Sequence, residues 1–246
     1  MFTRKCLLLI ILWAGLLTNN VNGQEKSISI LTEDNWSDSG GSHVAESARS
    51  VLEILGYEVT VVFVPWARAL KMTEEGMFAV LAGVYFSEER NKKLAFSEPI
   101  TTTDILFYKL KSSDISYDGN LNSLKKLRIG IVRNYIYSNE FDEANYLEKM
   151  IALNPENNIE LLLAERVDLI VGSSKAVDFL LASKFAGSSG QLESLPIPLK
   201  SKSVHVAFSR EHAGYKLLLE DFNRTFARLK KKVALNKEGK NKRILH

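Results

Sequence analysis

The sequence predicts an α/β protein of two similar lobes, each a mostly parallel sheet flanked by helices. Strand-type and helix-type periodicities alternate from Ser27 to Leu81, the signature of βαβ units. The alternation then restarts after a polar stretch, KSSDISYDGNLNS at 111–123, which marks a domain boundary. Size agrees, because 246 residues with 46% hydrophobic content supply two cores.

The elements follow in order. Ser27 to Leu31 alternates and is rich in β-formers, so a strand is expected. The turn-rich loop EDNWSDSGGS comes next. Val44, Ala48, Val51, Leu52 and Leu55 then fall on one helical face, with Gly56 as a stop. Glu58 to Val64 is apolar on both faces, as a buried parallel strand is. Trp66 to Glu75 reads as a helix stopped by Gly76, and Phe78 to Leu81 as the third strand. Beyond the boundary, Leu127 to Val132 is a strand and Ser138 to Ile151 carries helical spacing. Pro155 opens a helix ending near Glu165, Val167 to Val171 is a buried-type strand, and Ala176 to Phe185 is a helix. Ser203 to Ser209 reads as a strand and Tyr215 to Leu229 as a long amphipathic helix.

The N-terminus has the grammar of a signal peptide. Arg4 and Lys5 precede an apolar run from Cys6 to Leu17, and Val21-Asn22-Gly23 places a cut before Gln24. The run is short for a membrane span, which needs about 20 residues. Cys6 is the single cysteine and lies within that segment. A chain starting at Gln24 therefore has no disulfide, thiolate nucleophile, lipid-anchor cysteine or cysteine-ligated metal. Removing Arg4 and Lys5 takes the formal charge from +3 to +1. That balance, with the remaining basic runs confined to 230–232 and 240–243, argues against a nucleic-acid partner. A periplasmic monomer is expected.

Open α/β sheets bind ligands beyond the carboxyl ends of their strands. The residues there are Glu33 and Trp36 after the first strand and Trp66 and Arg68 at the second helix. Tyr85 and Arg90 follow the third strand, and Asn134, Tyr135, Ser173 and Ser174 follow strands of the second lobe. Two arginines, one acid, four aromatics and small polar groups suit a small polar ligand gripped by a guanidinium between flat walls. Arg90 is the oddest member. Ser87 is a helix N-cap with Glu88 and Glu89 in the first turn, so a cation one position on opposes the dipole. Replacing Arg90 should then leave folding nearly unchanged.

The order of these segments resembles the family 3 bacterial solute-binding proteins, the amino-acid-type periplasmic receptors of ABC importers. The resemblance runs from SISILTEDNW through LGYEVTVVFVPWARAL, AGVYFSEERNKKLAFSEPI, LKKLRIGIV and AERVDLIVGSS to SVHVAFSR. Its most specific part is S-x-x-R followed by F-S-E-P. It implies the two-lobed type II periplasmic-binding-protein fold with a two-strand hinge near Phe107–Leu110 and Val204–Ala207. The lobes would comprise 24–108 with 206–246, and 109–205. It also implies that Arg90 grips a ligand carboxylate, and that the partners are a small-molecule ligand and a membrane permease or a membrane sensor on another chain.

The chain also departs from the family pattern. Ser173 stands where receptors for α-amino acids carry an acid for the ligand ammonium. Ala82, Gly83 and Tyr85 replace small hydroxyls, and Asn134-Tyr135-Ile136 replaces a Gly-Thr-Thr-like turn.

Each residue also has a structural reading. Arg90 can pair with Glu98 or Glu88 on the surface, Trp66 can pack under its helix, and Arg68 can be a helix-surface charge. Tyr85 is divisible between core and cleft, Glu33 can cap its loop, and Trp36 has no apolar pattern to bury it. His205, in an apolar strand, reads as structural, and Lys175 and Asp168 as solvated or locally paired. No G-x-S-x-G, H-E-x-x-H or P-loop occurs, and four histidines show no metal spacing. No enzymatic activity and no cofactor are expected. Two other readings stand on this fold: a periplasmic ligand-sensing protein acting on a separate membrane partner, and a periplasmic enzyme of the dehydratase or lytic-transglycosylase kind with Glu33 as a general acid.

Overall fold

The computed structural model describes residues 26–33 and 42–244. The expected signal segment and Trp36 lie outside them. One ten-stranded curled sheet runs through the described residues in the order β2-β1-β3-β10-β5-β8-β6-β7, with β4 on β10 and β9 on β5.

The first half is built from β1 (Lys26–Glu33), α1 (Ser42–Ile54), β2 (Tyr57–Val64), α2 (Trp66–Glu74) and β3 (Val80–Tyr85). β1 pairs in parallel with both β2 and β3. Gly56, at φ 84°, ends α1 in the left-handed conformation that glycine adopts without strain. β2 differs from the expectation of a strand buried on both faces. It is the edge strand of the sheet among the described residues, and its side chains are part-buried or exposed along its length. β3 starts and ends later than expected, so Ala82, Gly83 and Tyr85 belong to the strand itself. Gly83, at φ 84°, sits where the register of β3 against β10 (Lys200–Ser209) slips, a bulge that glycine favours.

α3 (Glu88–Asn91) is a single turn capped by Ser87, whose hydroxyl accepts from the Arg90 amide. β4 (Leu94–Phe96) and β5 (Thr101–Leu110) follow. In the F-S-E-P segment, Ser97 Oγ accepts from the Val206 amide and its own amide donates to the Val206 carbonyl, which docks the return strand. His205 Nδ1 lies 2.8 Å from the Ser97 carbonyl and its ring meets Phe96 edge-on, a structural role.

The second half contains β6 (Arg128–Val132), α4 (Asn139–Glu143), β7 (Glu148–Ala152), α5 (Pro155–Leu163), β8 (Leu169–Ser173), α6 (Ser174–Ala182) and β9 (Leu192–Ser194). The helix expected over 138–151 is corrected here: only Asn139–Glu143 is helical, and 148–152 is a strand paired in parallel with β6. Lys149 Nζ donates to the Phe141 and Asp142 carbonyls, satisfying the end of the short helix. The open edge of β6 then recruits the following segment, a tertiary demand that local spacing does not carry.

Among the described residues the buried apolar side chains fall into four clusters. Two draw on residues 28–96 and 204–226, and two on residues 105–195. α7 (Tyr215–Ile244) adds Leu218, Phe222 and Phe226 to the cluster containing Ile30, Val51 and Phe208. β5 and β10 pair with each other through Thr101–Ile105 and Lys200–Val204. Their remaining lengths pair with different halves of the sheet.

Candidate ligand-binding site

Where the halves meet, a cavity of about 70 Å³ opens. A single water needs ~10–15 Å³ by the same measure, so there is room for a small ligand. The wall from the first half carries Thr32, Glu33, Val44, Trp66, Ala82, Gly83, Tyr85 and Arg90. The wall from the second carries Tyr135, Ile136, Ser173 and Lys175, and β5 and β10 supply Thr101, Thr103 and Val204.

Local folding explains each placement. Thr101 and Thr103 are alternate residues of β5 and so share a face. In the antiparallel register Thr101 is opposite Val204 and Thr103 opposite Lys202, which puts Lys202 beside the same face. The Thr103 hydroxyl lies 2.8 Å from that of Ser173, the N-cap of α6. Trp66 opens α2 directly after Pro65, whose fixed φ sets the turn from β2 into the helix.

Arg90 is the centre of the arrangement. It is 5% exposed, and none of the ion pairs among the described residues includes it. Its Nη1 donates to the Tyr85 carbonyl at 3.1 Å and its Nη2 to the Asn134 carbonyl at 2.9 Å. The guanidinium carbon stands 5.3 Å from the centre of the Trp66 ring. Burial pulls the guanidinium down to about 10, opposed by the field of Glu74. Two of its five N–H groups are engaged by these carbonyls, and the others remain for a ligand. The surface pairing of Arg90 with Glu98 or Glu88 does not occur.

A short network closes the cavity. Asn134, at φ 61°, takes the left-handed conformation that asparagine tolerates, and this aims its carbonyl at the first half. That carbonyl also accepts from Trp66 Nε1 at 3.2 Å. The Tyr135 hydroxyl donates to the Glu33 carboxylate, and its ring meets Trp66 edge-on at 5.9 Å. Burial, and the Glu33 charge after it, push the Tyr135 phenol well above its ordinary value. Burial likewise pushes Tyr85 up to about 12.

Six of the residues singled out in the sequence thus line one cavity: Glu33, Trp66, Tyr85, Arg90, Tyr135 and Ser173. Arg68 does not; it is exposed on α2. Asn134 does not line it either, and its part is played by the backbone carbonyl. Sequence reasoning missed Thr101, Thr103, Lys175 and Lys202. The alternating threonines at the head of β5 were the available signal. Lys175, expected to be solvated or locally paired, is exposed, and its Nζ lies 2.6 Å from the Thr101 hydroxyl at the cavity mouth. Asp168, read the same way, is paired by the Arg128 guanidinium.

Among the described residues there is no cluster of three His, Cys, Asp or Glu able to hold a metal, and no helix is long and apolar enough to cross a membrane. The bacterial extracellular solute-binding proteins, family 3, match residues 40–238. No curated protein matches the sequence. Similar solved structures include a histidine kinase sensor domain with similarity to periplasmic binding proteins, at 18% identity and a TM-score of 0.75, covering 87% of this chain and 94% of that one. Holo ArgBP from T. maritima is similar at 18% identity and a TM-score of 0.71, with 86% and 95% covered. The amino acid ABC transporter substrate-binding protein AbpA from Streptococcus pneumoniae, bound to L-arginine, is similar at 20% identity and a TM-score of 0.70, with 86% and 92% covered.

Proposed function

The chain belongs to the bacterial extracellular solute-binding proteins, family 3, and on that premise we propose that it captures a small carboxylate-bearing ligand between its two lobes. One observation carries this reading. Arg90 is buried at the cavity wall, pre-set by two carbonyls and an indole, with no carboxylate in ion-pair contact among the described residues. A buried cation without a counter-charge is costly, and a ligand carboxylate in the cavity removes that cost. The lobes are 24–108 with 206–246, and 109–205. Glu33, Trp36, Trp66, Tyr85, Tyr135 and Ser173 complete the site. Arg68 and the Asn134 side chain are left outside it.

Delivery to the permease of an ABC importer, in the periplasm after removal of residues 1–23, is the role we assign. The similarity to a histidine kinase sensor domain supports a second reading, in which the loaded protein signals to a separate membrane partner. Both readings are of binding rather than catalysis. A thermal-shift screen of amino acids, dicarboxylates and other small acids tests the shared core. Carboxylates that stabilise the wild-type chain but not Arg90→Ala are expected. A screen whose hits all lack an anionic group overturns it.

A further inference from the structure

We infer that the ligand carries a net negative charge and two anionic groups, the second held by Lys175 at the cavity mouth, so that this cavity rejects cations. The inference deepens the carboxylate-receptor reading and rests on it. Its basis is the charge of the walls. Among the described lining residues Glu33 is the one acid, against Arg90 and Lys175, with His43 as a further titratable group. Glu33 is 4% exposed and already accepts the Tyr135 hydroxyl across the cavity.

Neither cation is neutralised by a carboxylate contact among the described residues. Arg90 is held by carbonyls, and Lys175 by the Thr101 hydroxyl at 2.6 Å. A third cation stands just behind the wall. Lys202 Nζ lies 3.3 Å from the Ile136 carbonyl and 5.2 Å from the centre of the Tyr85 ring, and both of those residues line the cavity. Burial pulls this ammonium down to about 8, although Asp142 acts to raise it. Arg90 and Lys200 add to that lowering, so Lys202 brings a further cation close to Arg90.

Ligand classes then separate by charge. A ligand guanidinium or ammonium side chain adds a further cation to a wall that already has an excess. A zwitterion with a neutral side chain leaves the excess as it was. A short dicarboxylate, with or without an ammonium between its ends, places one carboxylate on Arg90 and the other at Lys175. Thr101, Thr103 and Ser173 supply hydroxyls along the same stretch of wall. The modest cavity volume favours a short ligand.

The test is calorimetric titration of the mature chain with succinate, aspartate, glutamate, alanine, propionate and arginine. Succinate or an acidic amino acid is expected to bind more tightly than alanine, propionate or arginine. Lys175→Gln should weaken the dicarboxylate about two- to fivefold more than it weakens propionate, the scale of one exposed ion pair. Lys175 is exposed, so the variant is expected to fold, and its unfolding transition checks this. Tighter binding of arginine or alanine than of any dicarboxylate overturns the inference while leaving a carboxylate receptor standing. Equal losses for dicarboxylate and propionate in Lys175→Gln remove Lys175 from the site. If no carboxylate binds the wild type, the underlying reading falls as well.

Discussion

Arg90, on the cavity wall, and Asn134, in the second half, are joined by a hydrogen bond of 2.9 Å from guanidinium to backbone carbonyl. The same carbonyl takes Trp66 Nε1, so one peptide oxygen of the second half ties an arginine and an indole of the first. The group we propose to grip the ligand is therefore also a clasp between the halves, and its removal should have two consequences.

Arg90→Ala should reduce affinity for the best ligand by ~2–5 kcal/mol, or roughly thirty- to several-thousand-fold, because the ligand anion is left desolvated and unpaired. Folding should suffer too, by about 1–3 kcal/mol, since the Tyr85 and Asn134 carbonyls lose their donor in a partly enclosed place. This differs from the expectation from the helix dipole, because α3 is one turn long and the dipole effect is small beside the two hydrogen bonds that Arg90 donates. Arg90→Lys should recover only part of the affinity, because an ammonium lacks the planar fork. Calorimetric titration and urea unfolding of the three proteins read both effects. An Arg90→Ala protein with wild-type affinity would remove the carboxylate grip from this chain.

Tyr135→Phe isolates the other clasp. It deletes the hydroxyl that donates to Glu33 and keeps the ring that packs on Trp66. A loss of about 1–2 kcal/mol in stability is expected from a buried hydrogen bond to a carboxylate. Unfolding midpoints of wild type and variant measure it, and identical midpoints would show the contact to be energetically idle.

Stability should climb between pH 8 and 10 because of Lys202. Burial lowers its folded pKa to about 8, below the ordinary lysine value near 10.4 in the unfolded chain. Within that window the unfolded chain holds the extra proton, so stability rises with pH. The groups acting on Lys202 are Asp142, which favours its charge, and Arg90 and Lys200, which oppose it. From about pH 9 the buried tyrosines oppose this rise and then reverse it: Tyr85, raised to about 12, keeps its proton in the folded protein while an unfolded tyrosine loses its own. Lys202→Met should flatten the rise, as followed by urea unfolding at pH 7, 8, 9 and 10. Anion affinity should weaken over the same window as the ammonium loses its charge.

Hinge closure should accompany binding, since a site lined by both halves encloses a ligand only when they meet. The contacts of Glu33 with Tyr135 and of Arg90 with Asn134 bridge the two halves, and opening should break them. Solution scattering should show a smaller radius of gyration when a verified ligand is added. Superimposable profiles with and without it would count against closure.

Most of the frame was legible from periodicity. The placing of α1, α2, β6, α5 and the return strand β10 followed from apolar spacing and from Gly56, Gly76 and Pro155, because burying one face imposes that spacing on the chain. β7 was not legible. Residues 148–152 are a strand because β6 presents an unpaired edge there, and a backbone edge leaves no mark on the local sequence. The unusual arginine after Ser87 was visible as a residue out of place. By itself the sequence determined the alternation of elements, the family pattern and six of the residues that line the cavity. Only the tertiary structure decided that the Asn134 backbone, rather than its side chain, holds Arg90, that Arg68 faces solvent, and that Lys175 and Lys202 stand at the cavity. The physical reason is range: periodicity reports one element's burial, whereas a hydrogen bond between Arg90 and the Asn134 carbonyl depends on how distant elements pack.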